Sequence, residues 1–123
     1  MPAITNATAE QQVANNFPSI RIFSVGHATA SPTPLRDLQT VWEPWQVASN
    51  ATICKDFSPS SHLFATFSAV CWIFGRTLSK RLSADGSVPV GLISNNWGGT
   101  KLEAWAPAAT FRECAVAAVT TSR

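Results

Sequence analysis

The stretch Gly91 to Trp105 reads GLISNNWGGTKLEAW, an apolar run that passes through two amides and a tryptophan into a glycine pair. Gly98 and Gly99 remove side chains where a strand would give way to a helix, so backbone N–H groups there can be approached closely. With the positive end of a helix behind it, such a turn can hold a phosphate or stabilise the oxyanion of an acyl transfer. The same residues also suit a tight strand-to-helix turn that binds nothing, and spacing alone leaves both readings open.

Other chemistry is sparse. The sequence contains no G-x-S-x-G elbow, no Walker loop and no G-x-G-x-x-G. His27 and His62 have no Asp or Glu at useful spacing and read as loop histidines rather than bases. Of the three cysteines, Cys71 sits in an apolar helix-like run as a small core residue, while Cys54 and Cys114 either pair or stay free. There is no CxxC and no Cys/His cluster, so neither a metal site nor a cofactor is expected. Two sequons, Asn6-Ala7-Thr8 and Asn50-Ala51-Thr52, make Asn6 and Asn50 glycosylation candidates.

The elements that must carry these residues follow from periodicity. Residues 9–15 have weak helical character, and Ile20 to Val25 alternates as a strand with one solvated face. From His27 to Ser61, Pro32, Pro34, Pro44 and Pro59 punctuate an irregular excursion, with Trp42 and Trp45 tucking it down as a surface loop or a short extra hairpin. Between Ser61 and Leu82, Phe64, Phe67, Val70, Cys71, Phe74 and Leu78 recur at spacings of three and four, predicting a helix buried on that stripe. Arg76, Lys80 and Arg81 read as its solvated C-terminal end, where cations suit the dipole. Val88 to Ser94 predicts a strand buried on both faces. Thr100 and Glu103 are spaced as a capping box for a helix from Lys101, and the alanine-rich stretch to Val119 is helical after Pro107. Strand, excursion, helix, strand, helix predicts parallel pairing in an α/β layer architecture.

Composition narrows the class. At 123 residues the chain is at most one domain, and 46% hydrophobic against 13% charged residues favours a packed interior. A net charge of +2 with scattered Lys and Arg argues against a nucleic-acid partner. No apolar run approaches the roughly 18 residues of a membrane span, and MPAITNATAEQQ has no basic start and apolar block of a signal peptide.

FSAVCWIFGRTLSKRL followed by VPVGLISNNWGGTKLEAW resembles the sialate O-acetylesterase family, esterases of the SGNH-hydrolase kind. RIFSV upstream and TFRECAV downstream fit the same family, so the resemblance covers nearly the whole chain. It implies a flavodoxin-like three-layer α/β domain with a parallel sheet. It also implies removal of acetyl groups from O-acetylated sialic acid or a related sugar, and a lysosomal or secreted glycoprotein. Family members carry their nucleophilic serine in G-Q-S-N-M and their base in Asp-x-x-His, and neither motif occurs here. On this resemblance residues 1–123 are expected to be an internal part of the catalytic domain, with the serine segment upstream and the histidine segment downstream. Gly98, Gly99 and Thr100 carry over as oxyanion or substrate-contact candidates, Asn96 as an amide donor, and Glu103 and Trp105 as pocket wall. Lys101 departs from the family's commoner proline. The alternative is a glycan-binding or interaction module that has lost the chemistry, with Trp42, Trp45, Trp97 and Trp105 able to stack on sugar rings.

Overall fold

The computed structural model describes residues 5–26, 31, 33, 35–54, 66–107 and 109–112. They fall into two compact units, one of Met1–Thr29 with Asp37–Asn96, the other of Ala30–Arg36 with Trp97–Arg123. His27, His62, Cys114, Phe64, Pro32, Pro34 and Pro59 lie outside the described residues.

The first unit opens with α1, Ala7–Val13, continued by a 3-10 turn over Ala14–Asn16. Strand β1, Ile20–Val25, follows, and its buried, exposed, buried alternation is the one its residue pattern predicts. It pairs in parallel with β3, Val90–Ser94, in the register Ile20↔Val90 through Ser24↔Ser94. The α/β architecture and the parallel pair thus match expectation. The sheet is mixed, however, because a third strand lies on the other side of β1.

That strand is β2, Val41–Val47, antiparallel to β1 within a sheet of order β2-β1-β3. The excursion is therefore not irregular throughout. Pro44 argues against a strand interior, but β2 is an edge, where a missing N–H is tolerated. Register shifts between Ile22 and Ser24 and between Ser24 and Val25 absorb the irregularity. Trp42 and Trp45 are half exposed rather than tucked in, although Trp45 lies against Phe23 with centroids 5.3 Å apart. After β2, Ser49 starts the single-turn helix α2, Asn50–Ile53, with a reciprocal capping box. The Ser49 hydroxyl accepts from the Thr52 N–H at 3.2 Å, and the Ser49 N–H donates to Thr52 Oγ1 at 2.8 Å.

Helix α3 spans Ala69–Leu82, with Ser68 Oγ capping it by accepting from the Cys71 N–H at 3.4 Å. Its buried stripe is Trp72, Gly75 and Ser79, not the predicted stripe: Val70 and Phe74 are exposed, and Phe67 is buried ahead of the helix. The stripe is rotated because Gly75 faces β3. A Cβ there would lie 2.9 Å from Leu92 Cγ and overlap both its methyls, so only glycine lets helix and strand approach this closely. Arg76 is not simply solvated either, since it pairs with Glu10.

The core joins Ala14, Phe17, Ile20, Ile22, Ala48, Ile53, Phe67, Trp72, Val90 and Leu92. Phe17 meets Trp72 edge to face at 5.8 Å and 88°, and Lys80 Nζ sits 5.5 Å above the Phe17 ring. Strand β3 is buried on one face only, for Gly91 and Ile93 are exposed while Val90, Leu92 and Ser94 face the core.

In the second unit a turn at residues 98–99 leads to a 3-10 turn over Leu102–Trp105, and residues 109–112 are helical. Thr100 does not cap that turn. Lys101 stands at its N-terminus without a side-chain hydrogen bond, so there is no capping box with Glu103. A single 3-10 turn aligns too few peptides to give the macrodipole that a longer helix would lend the glycine pair. Among the described residues no helix is long and apolar enough to cross a membrane.

Candidate functional site

Ser24 and Ser94 are register partners on β1 and β3, one residue from the carboxyl end of β1 and at that of β3. Both are buried, with the buried Glu43 of β2 opposite Ser24. The core thus changes from apolar to polar where parallel strands conventionally present ligand sites. Ser24 Oγ donates to Glu43 Oε2 at a long 3.5 Å, and Gln46 Nε2 donates to Glu43 Oε1. This layer escapes a motif search because its members come from three strands and form no local pattern.

Asn96, two residues beyond β3, is exposed, and its side-chain oxygen accepts from Ser94 Oγ at 2.7 Å. The buried hydroxyl thereby fixes the amide: Oδ1 is turned to Ser94, which leaves Nδ2 as the outward donor. A concavity of about 350 Å³ lies here, lined by Val70, Cys71, Phe74 and Ile93 with Ser94 and Asn96 among its polar groups. Cys71 Sγ lies 3.7 Å from the Ile93 carbonyl oxygen, to which it donates, and burial pushes the thiol above its ordinary range. Cys54 is also a free thiol, raised first by burial.

Within the second unit the glycine turn has its own fastening. Gly99 adopts φ 78, the left-handed region, and a Cβ added there would meet nothing within 4 Å. The glycine is thus required by backbone conformation, and the space beside it is open. Thr100 Oγ1 donates to the Trp97 carbonyl at 2.6 Å and accepts from Trp105 Nε1 at 2.8 Å. A relay from indole to hydroxyl to carbonyl therefore pins the turn. The Thr100 N–H reaches the same carbonyl at 3.4 Å. Among the described residues neither the Gly98 nor the Gly99 N–H donates to a protein acceptor. Glu103 and Trp105 are exposed, Glu103 with no described contact and Trp105 engaged through its indole N–H. Asn6 and Asn50 are both exposed, Asn6 at φ 59 before α1 and Asn50 at the first position of α2.

What these features define is an α/β unit with a polar layer at the carboxyl end of its parallel strands, followed in sequence by a glycine turn with uncommitted N–H donors. No protein-family model matches the chain. Sialate O-acetylesterases from Homo sapiens and Pongo abelii are each 35% identical to it over 113 residues, 92% of the chain and 20% of each relative. The Mus musculus sialate O-acetylesterase is 35% identical over the same share of the chain and 19% of its own length. By these matches the chain belongs to the sialate O-acetylesterase family. It spans about a fifth of the length of these curated relatives.

Proposed function

We propose that residues 1–123 form an internal part of an SGNH-type catalytic domain, flavodoxin-like in the complete protein, that hydrolyses O-acetyl esters on sialic acids. The observation carrying this reading is the 35% identity to sialate O-acetylesterases over 92% of the chain. In this mechanism a serine upstream of the segment attacks the acetyl carbonyl. A histidine downstream takes the serine proton and passes it to the departing sugar hydroxyl. Water then attacks the acetyl-serine ester, giving its proton to the histidine, and acetate leaves as the serine regains a proton. The N–H groups of Gly98 and Gly99 are the oxyanion donors, which their lack of described protein acceptors supports. Asn96 is proposed separately as a substrate-binding donor through Nδ2, and Thr100 as the residue that holds the turn in shape. Glu103 and Trp105 are proposed to shape the pocket wall. The two exposed sequons support a lysosomal or secreted glycoprotein.

A non-catalytic glycan-binding module is the second reading, favoured by the exposure of Trp42, Trp45, Trp97 and Trp105. Acetate release from 9-O-acetylated sialic acid separates the two. A complete polypeptide carrying these residues should turn the ester over, while binding without turnover supports the module. The 123-residue chain alone should release nothing above a buffer blank. Turnover by the isolated chain, abolished by one Ser or His substitution within it, would overturn the reading of the chain as an internal part.

A further inference from the structure

We propose that Glu10 is a positioning residue, the latch that fixes α1 on α3 and so sets the chain that enters α1. Helix α1 has seven residues, no side-chain cap hydrogen bond and no fully buried side chain. A helix this short does not persist on propensity, so its place must come from tertiary contacts. Val13 packs at the margin of the core, and Glu10, one turn earlier, supplies the polar contacts. The ring of Trp72 is fully buried, and its indole N–H donates to Glu10 Oε1 at 2.9 Å. Arg76, one turn further along α3, brings its Nε to the same oxygen at 2.5 Å.

One carboxylate oxygen therefore answers a donor on a buried ring and a cation that is itself only 25% exposed. Removing it leaves the indole N–H without its acceptor and Arg76 without its counter-charge, which costs more than the one hydrogen bond and the ion pair contribute net. Because α3 lies directly on Leu92 through Gly75, the latch also registers α1 against the sheet. Its catalytic consequence rests on the acyl-transfer reading above, in which the nucleophile precedes Met1. A latch of this kind would position the chain that carries the nucleophile without touching the substrate.

The test uses a complete polypeptide carrying these residues, with Glu10→Ala and Glu10→Gln. Glutamine keeps an oxygen for the Trp72 indole but no charge for Arg76, and alanine keeps neither. Amide hydrogen exchange in residues 7–13 should accelerate roughly tenfold in Glu10→Ala and less in Glu10→Gln. In the same variants kcat should fall in that order with KM unchanged, and the Trp72 indole N–H should lose protection. Unchanged exchange across α1 in Glu10→Ala overturns the latch. Faster exchange with unchanged kcat overturns the positioning role. A wild type that exchanges as expected but releases no acetate overturns the acyl-transfer reading and the positioning role with it, while the exchange data still decide the latch.

Discussion

Replacing Gly99 separates a turn that only bends the chain from a turn that also does chemistry. At φ 78 any residue with a Cβ is strained, and the open space around that position means an alanine methyl collides with nothing. Gly99→Ala should therefore lower stability by about 1–2 kcal/mol, the left-handed penalty alone. Asparagine tolerates this region better, so Gly99→Asn should cost less, and the β-branched Gly99→Val should cost more. If the Gly99 N–H receives the oxyanion, each new side chain occupies the space the acetyl group needs. The N–H remains but the side chain bars the oxyanion from it, and forfeiting one such contact costs about 2.7–4 kcal/mol, or roughly 10²–10³ in kcat. Turnover should then fall far more than stability, and Gly99→Asn should lose rate without losing much stability. The assay pairs denaturant unfolding with initial rates of acetate release from 9-O-acetylated sialic acid, in a complete polypeptide with Gly98→Val as companion. Folded Gly99→Ala and Gly99→Val proteins with wild-type rates would refute the oxyanion assignment and leave a structural turn.

Gly75→Ala gains about 1 kcal/mol of helix propensity but overpacks against Leu92 at a cost of about 1–3 kcal/mol. Net destabilisation should lie at or below about 2 kcal/mol in urea, and a Leu92→Val change should relieve part of it. The Cys71 thiol, raised by burial, should alkylate slowly at pH 8 and show a rate profile displaced upward from that of a free thiol. A profile matching a model thiol would contradict the half-buried placement. Expressed into the secretory pathway, the complete polypeptide should carry glycan on the exposed Asn50. Glycosidase should then shift its mass more than that of Asn50→Gln, and equal shifts would count against an occupied site.

The elements easiest to read were those whose burial follows one local period. Ile20 to Val25 alternates, and the observed strand has those bounds. Strand β2 was harder, because Pro44 is a breaker in a central strand and harmless at an edge, and sequence does not say which a strand will be. The stripe of α3 departs from its sequence pattern for a different reason. Val70 and Phe74 are larger apolar residues than Gly75 and Ser79, yet the smaller pair is buried, since the close approach of Gly75 to Leu92 outweighs side-chain hydrophobicity. At the candidate site the glycine pair was visible as a motif and Gly99 does need its left-handed φ. The fastening of Thr100 was not visible, because its hydroxyl turns to Trp97 and Trp105 instead of a helix end. Glu10 has no local signature because its partners lie more than sixty residues away.

The position of Pro44 gives the sheet a direction of growth. Strand β2 forms one border, carrying a residue that can never donate a main-chain hydrogen bond and a register shift that disturbs its line. At the other border β3 runs regularly against β1 over five register pairs and contains no proline. A further strand would meet a proline and a shifted register at β2, and neither at β3. Among the described residues β3 is therefore the border that an added strand would meet without a proline.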